Sequence, residues 1–164
     1  MGLQLPGELR SLLSMLGYNW PEADEVKLLE MGNAWLRFAG SHSGPLGEAD
    51  SQAQRVWQAN KGDDIEAFRT SWTADDSPNS NLQDFTTAAT IVGAGLMICG
   101  GIVLALKINV IVQLTILAIE IAQAIATAGP TFGASLAEIP IFKEITGALI
   151  DIIIDQALQA ILNG

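Results

Sequence analysis

The chain has one cysteine, one tyrosine and one histidine in 164 residues, and only 8 Lys and Arg against 18 Asp and Glu. Each shortage argues against a class of function. A lone Cys99 supports neither an internal disulfide nor a thiolate metal cluster. Its place inside an apolar run marks it as an inert core thiol. His42 has no second His or Cys to join it, so a surface or interface role fits better than a ligand role. One His and one Cys also leave both the Ser/His/Asp and the Cys/His nucleophile arrangements without support. A net charge of -10 with no basic patch argues against nucleic acid, whose binding rests on clustered Lys and Arg. It equally disfavours docking onto anionic lipid by charge alone. No GxxxxGK[ST] sequence occurs, and VGAG at 92–95 lacks the full dinucleotide fingerprint. The pairs Asp63/Asp64 and Asp75/Asp76 flank turns and helix starts, where capping or solvated roles fit better than metal binding. Asp151 and Asp155, four apart on an apolar segment, have the spacing for a proton or cation site. The expectation is a non-enzymatic chain with no catalytic residue, cofactor or metal.

Charge is scarce in one half above all. Residues 85–164 hold Lys107 and Lys143 against five acids, whereas residues 1–84 hold six basic residues against thirteen acids. From Phe85 to Leu106, between Asp84 and Lys107, there is no charge. As a helix this run is about 33 Å long at about 1.5 Å per residue, enough to cross a bilayer or to form the axis of a bundle. Its apolar residues fall on every side, so it is expected to be buried, either by its own chain or in lipid. Gly93, Gly95, Gly100 and Gly101 each cost an isolated helix about 0.8–1.0 kcal/mol relative to Ala. Small residues four apart permit close helix approach instead, and these four positions are expected to be such contacts.

The rest of the chain reads as helix with clear punctuation. Pro6 to Leu16 is a short helix, with Leu9, Leu12, Leu13 and Leu16 at helical spacing and Gly17 as its stop; it should lie on a larger body as a clasp. Pro21, Glu22, Asp24 and Glu25 place proline and negative charge in the first turn of the next helix. That helix carries Leu28, Met31, Trp35, Phe38 and His42 on one heptad-like seam. SGPLG at 43–47 should break or kink it. Helix resumes from Glu48 to Asn60 with Ala49, Ala53, Val56 and Trp57 inward, and Asn60, Lys61 and Gly62 reverse the chain. Asp63 and Glu66 match a capping box ahead of Ile65, Phe68 and Trp72, completing a helical hairpin. ADDSPNSN at 74–81 is a polar linker and the best internal boundary.

Beyond Lys107, a second long helix runs to Ala128. Asn109, Gln113, Glu120, Gln123 and Thr127 form a polar stripe on it, and Gly129 and Pro130 end it. A last helix carries Glu144, Asp151, Asp155 and Gln159 on another stripe. The glycine-rich helix has none and should be the central one of the three. The expected fold is an all-α helical bundle forming a single domain over 1–164, with a helical hairpin region at 1–76 and an apolar helical region at 79–164. The opening MGLQLPGELRSLL has no basic region leading into a continuous apolar segment, so it is not read as a cleavable secretory leader.

LPGEL, LGYNWPEADE, the hairpin at Gly62 to Trp72, KINVIVQLTILAIEIAQAIATAG and FGASLAEI together resemble the N-terminal WXG-like domain of large actinobacterial toxins exported by type VII (ESX) secretion. The resemblance covers essentially the whole chain. It implies an all-helical delivery module for a toxin domain fused behind it, paired with a small helical WXG-type partner or chaperone and handled by the type VII machinery. By this likeness Trp20, Trp35, Gly62 and Trp72 are packing and turn positions. Tyr18 and Glu22 have the Tyr-x-x-x-Asp/Glu export spacing, although they precede the hairpin. A literal Trp-x-Gly turn is absent, since Gln58 and Ala59 follow Trp57. The resemblance and the missing leader together imply secretion by a route that reads no cleavable signal. A membrane-inserting or channel-forming role, and pairing with a second copy of the chain, are the alternatives that the apolar run supports.

Overall fold

The computed structural model describes residues 2–163. Five α-helices follow one another, α1 (Gly7–Met15), α2 (Glu25–Ala59), α3 (Asp63–Thr73), α4 (Pro78–Thr127) and α5 (Ile139–Asn163), with a 3-10 turn at Ala134–Glu138 before the last. The fold is all-α, and no strand occurs among the described residues.

Local chemistry accounts for the helix ends. Asp24 caps α2, its Oδ1 accepting the N–H groups of Val26 and Lys27 at 3.1 and 3.2 Å; the Lys27 N–H leads the contributions that draw the Asp24 carboxyl below its ordinary pKa. Pro21 and Glu22 therefore stand ahead of the helix and not in its first turn. The reversal at 60–62 is made as expected, with Gly62 at a φ of 142°, a conformation that a side chain resists. The capping box is not formed: Gly62 is the N-cap, and its carbonyl accepts the Ile65 and Glu66 N–H groups. Ser77 starts α4, with its Oγ accepting the Ser80 N–H at 3.1 Å.

Two expected interruptions do not occur. Helix α2 runs through Pro45 because the residues buried on either side of it, Gly32, Ala39, Leu46 and Ala53, are seven apart and keep one face docked. Helix α4 runs for 50 residues across Lys107, where two helices were expected to meet. A charge ends an apolar helix only if it must reach water, and Lys107 is 2% exposed.

The chain divides into two compact units, one made of residues up to Lys27 with those from Cys99 onward, the other of Leu28–Ile98. In the first, Leu5, Leu13, Val110, Leu114 and Ile150 form the core, with Trp20 and Ile154 packed against it. Helix α1 thus lies on α4 and α5 as the clasp its leucine spacing implies. On α4 the buried positions Val103, Lys107, Val110, Leu114 and Leu117 recur at steps of four and three.

The run from Phe85 to Leu106 is not fully enclosed by its own chain, since Ile91 and Ile98 stand exposed, and the opposite side of α4 is open further along as well. Gly101, Ala105, Ile108, Val112, Thr115, Ile119, Ala122 and Ala126 form an exposed row at the same steps. Ile108, Val112 and Ile119 stand 47%, 46% and 52% exposed. Helices α1 and α5 both contribute to the core on the other side, which leaves nothing in this unit to cover the row. Helix α5 also bares Ile141, Ile145 and Ile152.

In the second unit the expected large-residue seam is displaced. Small residues are buried instead, and Trp35, Phe38 and His42 are half-buried beside them while Met31 is exposed. Of the four side chains placed inward on the second half of α2, Ala53 is buried and Trp57 half-buried, but Ala49 and Val56 are exposed.

Candidate functional site

The polar chemistry of the first unit converges on Lys107. Its Nζ donates to Glu25 Oε2 at 2.8 Å and to the Ala23 carbonyl at 2.6 Å, and it lies 5.8 Å from the centroid of the Trp20 ring. The Leu3 N–H donates to Glu25 Oε1. Glu25 and Lys107 are both buried, so each satisfies a charge that would otherwise be stranded. Burial alone raises the Glu25 carboxyl pKa, but the Leu3 N–H, the Lys107 ammonium and its own N–H outweigh it and hold the value near about 2. This pair ties the first residue of α2 to the middle of α4. Sequence spacing gives no sign of it, since the partners are 82 positions apart.

Tyr18 makes the second tie. Its hydroxyl donates 2.7 Å to Asp151 Oδ1 and lies 3.0 Å from the Gly147 carbonyl. The Asp151 hydrogen bond, burial and the negative charge push the phenol up to about 12. Tyr18 of the export-like spacing is thus engaged with α5, while Glu22 is exposed four residues on. Asp151 serves Tyr18 and not a cation site with Asp155. Among the described residues no group of His, Cys, Asp and Glu is placed to hold a metal ion. Cys99 is free and half-buried.

In the second unit, α2 and α4 cross at two glycines. A Cβ on Gly32 would stand 2.8 Å from the Gly93 carbonyl oxygen, and one on Gly93 would stand 3.0 Å from the Gly32 carbonyl oxygen. Of the four glycines singled out from sequence, Gly93 has a close backbone neighbour, Gly100 is buried, and Gly95 and Gly101 face open space. Within this chain no close neighbour stands against Gly95 or Gly101. Gly32, the other half of the crossing, carries no sequence signal beyond being a glycine. Beside it, Met31, Ala34, Trp35, Phe38 and Phe85 line an open apolar groove of about 340 Å³. Phe38 packs edge-on against Trp35 and Phe85 and tilted against His42. At the hairpin, Trp57, Phe68 and Trp72 stack in sequence, and Trp72 Nε1 donates to Asp50 at 3.1 Å. Of the four positions that the resemblance singles out, Trp20 lies in the first unit and Trp35, Gly62 and Trp72 lie in the second.

The arrangement offers apolar faces and structural polar ties. A family model described as the WXG100 like domain matches residues 5–148. The chain belongs to the WXG100-like family. No individually curated protein and no solved structure matches it. WXG100-like domains are helical proteins related to type VII secretion and not enzymes, and their partners are those associated with that secretion. In this WXG100-like chain the match spans α1 through the first part of α5, and so includes both polar ties except for Leu3 and Asp151.

Proposed function

We propose that this chain is a non-enzymatic targeting and interaction module that delivers an effector through type VII secretion, pairing with a small helical partner or with a second copy of itself. The observation that carries this reading is the exposed row on α4 from Gly101 to Ala126. Its alternating steps of four and three are those of a coiled-coil seam, and its small residues leave room for a second helix to come close. Family membership supplies the secretion context. The toxin-bearing, actinobacterial form of the reading and export without a cleavable leader belong to the same proposal. Replacing Ile108 and Ile119 by Asp in the native host tests it: loss of export and of co-purified helical protein supports pairing, and unchanged export defeats it. Both side chains already stand in the open, so the fold tolerates the change.

A second reading, membrane insertion, draws on a different observation. The segments Asp63–Thr127 and Ala134–Asn163 each hold a stretch long and apolar enough to cross a membrane, of which only 28% and 11% is buried. Resistance of the native protein to carbonate extraction from membranes favours this reading, and full release disfavours it.

A further inference from the structure

Between Glu120 on α4 and Glu138 at the end of the 3-10 turn no residue is charged. At the turn of this hairpin Phe132 is 100% exposed, flanked by Ile125 at 59% and Leu136 at 43%. Phe132 is also the one non-glycine residue with positive φ among those described, at 53°. An aromatic side chain held in the left-handed region while touching nothing is kept there by its surroundings. The surroundings are well built: the N–H groups of Ala128, Thr131, Phe132, Gly133, Ala134 and Leu136 all donate to carbonyls of the same turn, and the Ser135 N–H reaches Thr131 Oγ1. Pro130 has no N–H to satisfy. The hydroxyls turn inward as well, Ser135 Oγ to the Ala124 carbonyl at 2.7 Å, Thr131 Oγ1 to that of Thr127 at 2.7 Å and Thr127 Oγ1 to that of Gln123 at 2.9 Å.

We propose that this tip is a lipid-docking wedge, which enters the surface of an electrically neutral bilayer with Phe132 as its anchor. Backbone donors are costly to bring into hydrocarbon unless they are already bonded, and the donors named above are. A protein partner that reads a loop by polar contacts would find few donors free here. The choice of neutral lipid follows from charge: the tip has no Lys or Arg, and behind it Glu120, Glu138 and Glu144 outnumber Lys143, so an anionic surface repels it. Neither helix has to cross the membrane, and the inference does not rest on the export reading.

The full chain is mixed with phosphatidylcholine vesicles, and separately with vesicles enriched in phosphatidylglycerol, and the bound fraction is measured by flotation. Binding to the first, weakened on the second, is expected. Phe132→Asp should lower the affinity about tenfold or more, from the area of one aromatic ring. Asp tolerates the left-handed conformation and Phe132 touches nothing, so the helical circular dichroism should be unchanged. Phe132→Trp should bind, and on binding the emission that this variant has in excess of the parent should shift to the blue and be quenched by brominated lipid. No binding of the parent chain to phosphatidylcholine, equal binding by Phe132→Asp, or an excess emission of Phe132→Trp that vesicles leave unmoved overturns the proposal. Export of Phe132→Asp from the native host is scored separately, so loss of vesicle binding with intact export leaves the delivery reading standing.

Discussion

The two compact units solve the same problem, holding long helices together, with opposite materials. In the first, large aliphatic side chains form the core, and one ion pair, Glu25 with Lys107, is enclosed among them. In the second, two glycines bring the backbones of α2 and α4 into contact and the aromatic rings lie to one side, half in water. A core of large side chains tolerates a charge only when its partner is supplied. A glycine crossing tolerates no added carbon at all. The units should therefore fail to different substitutions.

Glu25→Ala should do the most damage. It strands Lys107 in the core and costs about 3–5 kcal/mol, read as a lowered urea midpoint and as faster tryptic cleavage after the exposed Arg10 of α1. Next comes Gly32→Val, which drives side-chain atoms into the Gly93 carbonyl and the Met97 side chain; overpacking of this kind costs about 1–3 kcal/mol. Its effect should register in the fluorescence of the Trp35 region while cleavage at Arg10 stays slow.

pH sharpens the same contrast. The Glu25 carboxyl is lowered from 4.5 to about 2 on folding, so its contribution is complete above 4.5 and is lost as pH falls through about 2. The Tyr18 phenol is raised from 10.0 to about 12, so its contribution is complete below 10.0 and is lost as pH rises through about 12. Hydrogen exchange across pH should show α1 loosening at both ends of the range. Tyr18→Phe should remove the alkaline limb and cost about 0.5–1.5 kcal/mol. The smallest effect is a gain: Gly101→Ala meets open space and should stabilise α4 by up to about 1 kcal/mol, a benefit that Gly93→Ala, at the crossing, should not give.

Much of the architecture could be read from local chemistry. Leucine spacing placed α1, Gly62 marked the reversal, and the polar stretch at 74–81 holds the start of α4. What escaped depends on residues distant in sequence. Lys107 looks like a boundary because its partner Glu25 lies far upstream, and with the partner in place the helix has no reason to stop. Pro45 looks like a break because its lost hydrogen bond is local, whereas the docked face that offsets the loss is not. The burial of Gly32 and Ala39 in place of Met31 and Phe38 was illegible for a related reason. Hydrophobicity ranks large residues as the inner ones, but a close crossing selects small ones. Phe132 gave no signal of its own, since an aromatic in a turn reads as packing until its exposure is seen.

The ion pair between the first residue of α2 and the middle of α4 also fixes an order of events. Residues 28–98 close their unit among themselves. The residues made before them must wait, with Glu25 still in water, until the far half of α4 arrives. Residues ahead of position 28 thus settle only after residues made well after them, and for that interval the leucines of α1 are open to any chaperone or carrier that meets them first.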